Sequence, residues 1–258
     1  MKEFNIIRMK VLPRLLLIHS IVLMAIACDT SFTDSGVAKD GSAGKGGSTA
    51  RFAIAQNNLY AVTRENLKLF DLSNPSQPDY TDSIYLGIGI ETIFPYGDNL
   101  FIGTQNGMQI YDIGIPSSPY KLSTYQHIYS CDPVVAQYNY AYVTLNTNND
   151  WCGRTVNRLD IIDISDLTNP FRVANYTMQG PEGLGIQGNL LFVCDNGLKV
   201  YDVTDKLNLQ LLQYFDIKAT DVIPDGNRLL VIGDDGLYQY LYDGSELSLL
   251  SKIPVETE

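Results

Sequence analysis

The stretch LDIIDISDLTNP, residues 159–170, is one of five related phrases in this chain of 258 residues. The other copies are LKLFDLSNPSQP from Leu67, MQIYDIGIPSSP from Met108, LKVYDVTDKLNL from Leu198 and LYQYLYDGSELS from Leu237. The phrases follow one another at steps of 41, 51, 39 and 39 residues. A repeat of this period predicts a fold that is built from similar units.

Each unit contains four short apolar stretches, separated by turn residues, that are rich in Ile, Val, Leu, Tyr and Phe. The stretches are too short for helices and are typical of strands. Asn106-Gly107, Asn196-Gly197 and Asp235-Gly236 supply the positive φ angles of tight hairpins. Four strands and their connections need roughly 40 residues, the length of a propeller blade. We therefore predict an all-β fold, a five-bladed β-propeller of four-stranded antiparallel blades.

An Asp occupies the centre of the first four phrases, and Leu241 replaces it in the fifth. The four residues are Asp71, Asp112, Asp163 and Asp202. A short carboxylate just past a strand end accepts backbone N–H bonds from the following turn, so we interpret these residues as structural. A ring of metal-binding or catalytic carboxylates is the alternative.

These phrases resemble the LVIVD repeat family of bacterial surface proteins, and residues 159–170 carry the closest match. The resemblance covers about residues 51–255 and is strongest in units two to four. It implies a β-propeller and, by itself, no activity.

Residues 1–27 combine a basic lead with an apolar run of about 13 residues, which is too short to span a membrane. They are therefore predicted to be a signal peptide, with Met9 as an alternative start to Met1. The sequence Ala25-Ile26-Ala27-Cys28 resembles the lipobox of bacterial lipoproteins, which implies that Cys28 is lipidated. Plain secretion is the other possibility.

Residues 28–50 are rich in Gly, Ser, Thr and Ala and are predicted to be a flexible tether, with the propeller over residues 51–258. Without the signal peptide the chain has 14 basic and 28 acidic residues. Such an acidic protein repels nucleic acid and anionic headgroups, so we expect membrane attachment through the lipid only. The expected location is the bacterial cell envelope, at the outer membrane or the cell surface, and the expected state is a monomer.

Three cysteines remain after Cys28. Cys131 opens the first strand of unit three, and Cys152 lies in an insertion of about 11 residues between its second and third strands. Both positions fall on one rim of the ring, and export favours oxidation, so we predict a Cys131–Cys152 disulfide. Cys194 is expected to be a buried thiol. A metal site that combines the two rim cysteines with His127 is a weaker alternative.

Charged residues stand at the start of the first strand of each unit, where they would surround the mouth of the central channel. They are Arg51, Glu91, Asp132, Glu182 and Asp221. One hypothesis is a channel collar that binds a cation or a small-molecule ligand, with weak Ca²⁺ as the only expected cofactor. The other is that each side chain satisfies backbone donors and faces water. The collar hypothesis predicts a calcium-dependent rise in the melting temperature.

The insertion of unit three contains Asp150, Trp151 and Arg154. Loops on a rigid scaffold often carry recognition, and Trp and Arg are frequent interface anchors. These residues form a candidate binding rim, or else Trp151 plugs its own blade.

The function that these patterns favour is a non-enzymatic protein-interaction or scaffold module that binds an envelope or surface protein. The alternatives are a ligand- or carbohydrate-binding accessory protein of an envelope or uptake system and, third, a carboxylate-based propeller glycosidase or lyase.

Overall fold

The computed structural model describes residues 46–127, 133–146 and 157–255. These residues form twenty strands and no helix, in five four-stranded antiparallel sheets, which confirms the predicted five-bladed β-propeller. No helix that is long and apolar enough to span a membrane occurs among the described residues.

The five blades follow one another along the chain. Blade 1 comprises β1 (Phe52–Ala55), β2 (Asn58–Val62), β3 (Asn66–Asp71) and β4 (Asp79–Tyr85). Blade 2 comprises β5 (Ile90–Tyr96), β6 (Asn99–Thr104), β7 (Gly107–Asp112) and β8 (Tyr120–Gln126). Blade 3 comprises β9 (Val134–Gln137), β10 (Tyr140–Leu145), β11 (Arg158–Asp163) and β12 (Phe171–Thr177). Blade 4 comprises β13 (Pro181–Gln187), β14 (Leu190–Asp195), β15 (Leu198–Asp202) and β16 (Gln210–Phe215), and blade 5 comprises β17 (Asp221–Asp225), β18 (Arg228–Gly233), β19 (Gly236–Tyr242) and β20 (Leu247–Pro254).

Within every sheet the strands are hydrogen-bonded in chain order. The first strands of neighbouring blades pack against each other from blade 1 to blade 5, so they surround the axis of the ring. The fourth strands lie outside and are largely exposed. Among the described residues, each sheet takes its four strands from one continuous stretch of the chain, and no strand is exchanged between the first and the last blade.

The turn between the first and second strands needs a positive φ at its first residue. Gly97, Gly188 and Gly226 fill this position in blades 2, 4 and 5, with φ of 57°, 58° and 62°. Glycine adopts this conformation without steric cost. Gln56 and Tyr138 adopt it in blades 1 and 3 with φ of 49° and 54°, because a two-residue hairpin favours turn types with a positive φ at this position.

Apolar clusters fill the junctions between consecutive blades from 1 to 5. Alternation along each strand gives every blade two apolar faces, one toward the preceding blade and one toward the next. Tyr60 and Leu100 lie in the junction of blades 1 and 2, Phe101 in the next one, Leu159 in the third and Phe192 in the fourth. All five side chains are at most 2% exposed. These clusters are the core of the protein.

Candidate functional site

The predicted collar residues differ from one another in their surroundings. Arg51 donates from Nη1 to the carbonyl oxygen of Glu91 at 3.1 Å and from Nη2 to that of Ile90 at 3.3 Å. It therefore ties blade 1 to blade 2 at the start of their inner strands. Asp132 lies outside the described residues.

Asp221, the first residue of β17, is only 2% exposed. Its carboxylate accepts hydrogen bonds from the Ser48 hydroxyl at 2.9 Å, the Thr49 hydroxyl at 2.6 Å and the Thr49 N–H at 3.2 Å. Burial raises the pKa of Asp221, and the hydrogen bonds partly oppose that rise. The structure thus gives Asp221 protein partners, where the collar hypothesis expects it to face an open channel.

Residues 46–50, together with Asp221, form a polar latch. Ser48 is fully buried, and its hydroxyl also accepts the Leu184 N–H of blade 4 at 2.8 Å. The carbonyl oxygen of Ala50 accepts the Ile93 N–H of blade 2 at 2.9 Å. Within three residues the chain therefore touches blades 2, 4 and 5 inside the channel. Residues 46–50 belong to the ring, although their composition assigns them to the tether.

Two open cavities lie at the mouth of the channel beside this latch. A cavity of about 450 Å³ is lined by Thr49, Pro133, Asn146, Pro181, Glu182, Gly183 and Thr220. Glu182 also borders a second cavity of about 290 Å³ with Asp234 and Cys194. Partial burial and the neighbouring Asp234 raise the pKa of Glu182. Burial raises the pKa of the Cys194 thiol well above its usual range, so this buried free thiol stays protonated.

Within the three described ranges, no group of three or more His, Cys, Asp or Glu side chains has an arrangement that could hold a metal ion. Only four of the five predicted collar residues are carboxylates, because blade 1 has Arg51 at this position. The Asp221 carboxylate is hydrogen-bonded to the latch. Weak calcium binding at the mouth remains a prediction.

The repeated Asp residues all begin the same kind of turn. Asp71 accepts the N–H of Ser73 at 2.7 Å, and Asp202 accepts that of Thr204 at 2.7 Å. Asp112 and Asp163 each accept the N–H two residues later in the same way. Hydrogen bonds from Ser73 and Thr204 lower the pKa of Asp71 and Asp202, respectively. This is the geometry of Asx turns, which shape the loop between the third and fourth strands.

Several predicted site residues lie outside the described ranges, so their predicted roles stay predictions. They are Cys28, Cys131, Cys152 and the rim residues Asp150, Trp151 and Arg154.

Polar bonds reinforce the four filled junctions. The lower rim of the ring is the side that carries the turns between first and second strands. There Gln187 of blade 4 donates to the Gly226 carbonyl oxygen of blade 5 at 2.7 Å and accepts the Gly226 N–H at 2.9 Å. Further out, the Gln213 amide donates to Gly244 at 2.8 Å, and Tyr242 donates to Gln213. Comparable bonds join blades 1 and 2, 2 and 3, and 3 and 4.

The junction between blades 5 and 1, which we call the seam, is different. Among the described residues, no apolar cluster fills it, and β17 packs much less closely on β1 than the other neighbouring inner strands pack on each other. A cavity of about 400 Å³ opens there, with Phe52 and Ile54 on blade 1 and Ile223 and Ile232 on blade 5. Phe52 is 60% and Ile232 38% exposed. The seam thus presents two apolar repeat faces that do not bury each other.

The sequence did not point to the latch or to the seam. Ser48 and Thr49 lie in a stretch of small polar residues, and nothing local distinguishes them from the preceding Gly and Ser. The seam residues follow the same alternation as their buried counterparts, since Ile54 pairs across the hairpin with Leu59 just as Pro95 pairs with Leu100. Only a break in apolar alternation would have been a signal, and the sequence has none.

The LVIVD repeat family model matches residues 46–84, 92–127 and 130–178. These ranges correspond to blades 1, 2 and 3, one unit earlier than the strongest resemblance read from the sequence. The match confirms the predicted LVIVD repeats. No curated protein matches the chain by sequence.

Several solved structures resemble this fold over about three quarters of the chain. A protein from Lactobacillus plantarum is 15% identical, with a TM-score of 0.60 over 76% of this chain and 67% of that one. A functionally unknown protein from Desulfotomaculum acetoxidans is 12% identical, with a TM-score of 0.61 over 76% and 66%. The periplasmic gluconolactonase PpgL of Pseudomonas aeruginosa is 11% identical, with a TM-score of 0.56 over 80% and 69%. At these identities the likeness shows the fold alone, and the chain spans about two thirds of the length of these proteins.

Proposed function

We propose that this β-propeller, which carries LVIVD repeats, is a non-enzymatic protein-interaction module of the bacterial cell envelope. The observation that carries the proposal is the seam. Large exposed apolar clefts on otherwise polar surfaces mark sites where another protein binds. Phe52 is 60% exposed, whereas Ile93, its counterpart in blade 2, is fully buried against blade 1.

The occupant of the seam is a strand or hairpin of a partner protein with alternating apolar side chains. The filled junctions show what covers such a face elsewhere in the ring, namely the alternating face of a neighbouring blade. A strand of the same pattern fits the cleft for the same reason. The latch residues Gly46, Gly47, Thr49, Ala50 and Asp221 line the same cavity, so this strand or hairpin contacts the latch as well as the two apolar faces.

The contents of the channel favour a binding protein over an enzyme. Residues 46–50 cross it, and the buried carboxylate of Asp221 is already used by Ser48 and Thr49. Glu182 and Asp234 remain at the mouth in open, shallow cavities. The likeness to a gluconolactonase concerns the fold, so it supplies no catalytic residue to this chain.

The attachment to the envelope is part of the proposal. Cys28 is acylated after removal of residues 1–27, and the following Gly- and Ser-rich residues hold the propeller away from the membrane. Ser48, which is hydrogen-bonded to blades 4 and 5, lies 20 residues after the proposed lipid attachment at Cys28. A Cys28→Ser variant is expected to leave the membrane fraction and to lose labelling by a fatty-acid analogue. Unchanged labelling would contradict the anchor.

Site-specific photo-crosslinking on intact cells tests the interaction. A crosslinker at Phe52 probes the seam, and one at Tyr80, which is 54% exposed on the outer strand β4, is the matched control. We expect one discrete adduct with an envelope protein from position 52 and none of that size from position 80. The absence of an adduct at position 52, or the same adduct at both positions, would count against the seam.

The second candidate, a ligand- or carbohydrate-binding accessory protein, is supported by the cavities around Glu182. Titration with glycans separates the classes. Saturable binding without turnover favours the accessory protein, turnover favours a glycosidase or lyase, and inertness together with the Phe52 adduct favours the interaction module.

A further inference from the structure

A basic cavity lies at the junction of blades 2 and 3, away from the seam and the channel. It has a volume of about 540 Å³ and is lined by Tyr125, Gln126, His127, Arg158 and Arg172. The first three residues end or follow β8, whereas the two arginines lie on β11 and β12. The cavity therefore joins two blades and rests on strands.

The two arginines share one carboxylate. Asp160 is fully buried, and its Oδ2 accepts from Arg158 Nη2 at 3.0 Å and from Arg172 Nη1 at 3.4 Å. Arg158 Nε also lies 2.8 Å from Oδ1, as an ion pair without the alignment of a hydrogen bond. Two guanidinium groups against one carboxylate leave a net positive charge beside the cavity.

Asp160 fixes the guanidinium groups before any ligand arrives. The side chain of Arg158 is largely packed, at 17% exposed, whereas Arg172 is exposed, at 37%, and presents its guanidinium to the cavity and to solvent. A guanidinium carries five N–H donors in a planar fork, and Asp160 engages only some of them. A preorganised fork loses little entropy when it binds a second oxyanion.

The other blades show that this arrangement is not needed to build the repeat. The position of Asp160, three residues before the repeated Asp, holds Lys68 in blade 1, Gln109 in blade 2 and Lys199 in blade 4. Lys199 pairs with Asp195 at 2.6 Å, one cation for one anion. In blade 3 two cations share one anion, in a chain whose formal net charge is −11.

We propose that this cavity is a binding site for an oxyanion, the carboxylate of an acidic sugar or a sulfate or phosphate group. Guanidinium groups bind such groups through paired, charge-assisted hydrogen bonds. Tyr125 supplies an aromatic wall, and its ring lies 6.0 Å from that of His127. At physiological ionic strength the acidic remainder of the protein is screened beyond about 8 Å, so it does not prevent anion binding at this cavity.

Calorimetric titration of the chain without residues 1–27, with glucuronate, inorganic phosphate and sulfate as separate probes, tests the proposal. We expect saturable binding of at least one probe. Arg172→Gln is expected to weaken it at least about tenfold, because a hydrogen bond to a charged group is lost. The matched control is Arg64→Gln, which removes the same charge from the exposed rim of another cavity.

The outcomes are distinct. Tighter binding of glucuronate than of phosphate supports an acidic sugar, and the reverse order or equal binding supports a free inorganic anion. No saturable binding of any probe, or equal weakening by both substitutions, overturns the site. Circular dichroism of both variants excludes misfolding as the cause. The adduct at Phe52 is expected to be unaffected by Arg172→Gln, so this proposal and the proposed protein interaction can fail separately.

Discussion

The junction of blades 4 and 5 and the seam of blades 5 and 1 are made from the same repeat in two different ways. In the first, Phe192, Leu198 and Val200 pack against blade 5 and are at most 2% exposed. In the seam, Phe52 and Ile232 line an open cavity, and the latch at Asp221 joins the blades instead. The comparison teaches that apolar burial holds four junctions, whereas buried hydrogen bonds hold the fifth.

The largest expected effect comes from a matched pair of leucines. Leu100 is fully buried between blades 1 and 2, and Leu59, its counterpart in blade 1, is only partly buried on the seam side. Leu100→Ala should lower the free energy of unfolding by about 2–5 kcal/mol, because it leaves a cavity in a closed cluster. Leu59→Ala should cost about half as much or less, because solvent already reaches the site. Urea unfolding measures both, and equal losses would mean that the seam is closed in solution.

The second largest effect on the free energy of unfolding is expected at the latch. Asp221→Asn places an amide donor against the N–H of Thr49, which now donates to the carboxylate. Leaving a buried donor without an acceptor should cost about 1–3 kcal/mol in the free energy of unfolding. Asp243→Asn is the control, since that carboxylate also accepts backbone N–H groups but is exposed. A loss no larger than that of the control would show that the latch does not hold the seam.

The latch should also weaken as the pH rises. The folded-state pKa of Asp221 lies above its ordinary value of 3.8, because burial disfavours the charged form. Its stabilising contribution is therefore complete below that ordinary value and is lost as the pH rises through the folded-state pKa. The difference in unfolding free energy between the wild type and Asp221→Asn should shrink over this window. A difference that grows with pH would contradict this assignment.

A smaller effect is expected at the lower rim of a filled junction. Gln187→Ala removes two hydrogen bonds to Gly226, at 2.7 and 2.9 Å, between blades 4 and 5. Because this rim is exposed to water, the loss should be about 1 kcal/mol in the free energy of unfolding. Gln179→Ala, in the loop before blade 4, removes a hydrogen bond accepted from Asn196 and is the glutamine control, because that bond does not join blades 4 and 5. A loss above that of Leu100→Ala would reverse the order of apolar and polar contributions.

The smallest effect on stability is expected in the seam itself. Phe52→Ser removes a side chain that is 60% exposed, so the free energy of unfolding should change by about 0.5 kcal/mol or less. The same substitution at its buried counterpart Ile93 should be severely destabilising. If the seam binds a protein partner, Phe52→Ser should abolish capture of that partner from intact cells while thermal unfolding stays nearly unchanged. Retained capture would separate the open seam from the proposed function.

Much of this fold could be predicted from the sequence because the blades depend on interactions between residues that are close together in the chain. The Asp-Gly and Asn-Gly turns, together with apolar alternation in segments such as residues 159–170, favour strands and hairpins between neighbouring residues. The turn role of Asp71 and Asp202 is equally local, since each accepts an N–H two residues away. By contrast, Ser48 and Asp221 are 173 residues apart, so no local pattern links them.

The candidate sites divide in the same way. Charged residues before the inner strands were visible as a set in the sequence, but their roles were not. Arg51 binds backbone carbonyl oxygens of blade 2, Asp221 binds the latch, and Glu182 stays at the mouth. The pairing of Arg158 and Arg172 with Asp160 arises because β11 and β12 are adjacent in the sheet.

By itself the sequence determined the repeat, the number of blades, the strand order within each blade and the acidic character of the protein. These depend on hydrogen bonds and side-chain alternation over a few residues, which each unit repeats independently. Only the tertiary structure decided which of five chemically similar junctions stays open, because that depends on how the ring brings its two ends together. The wedge shape of the blades and the path of residues 46–50 set that distance, and neither is a property of a single unit.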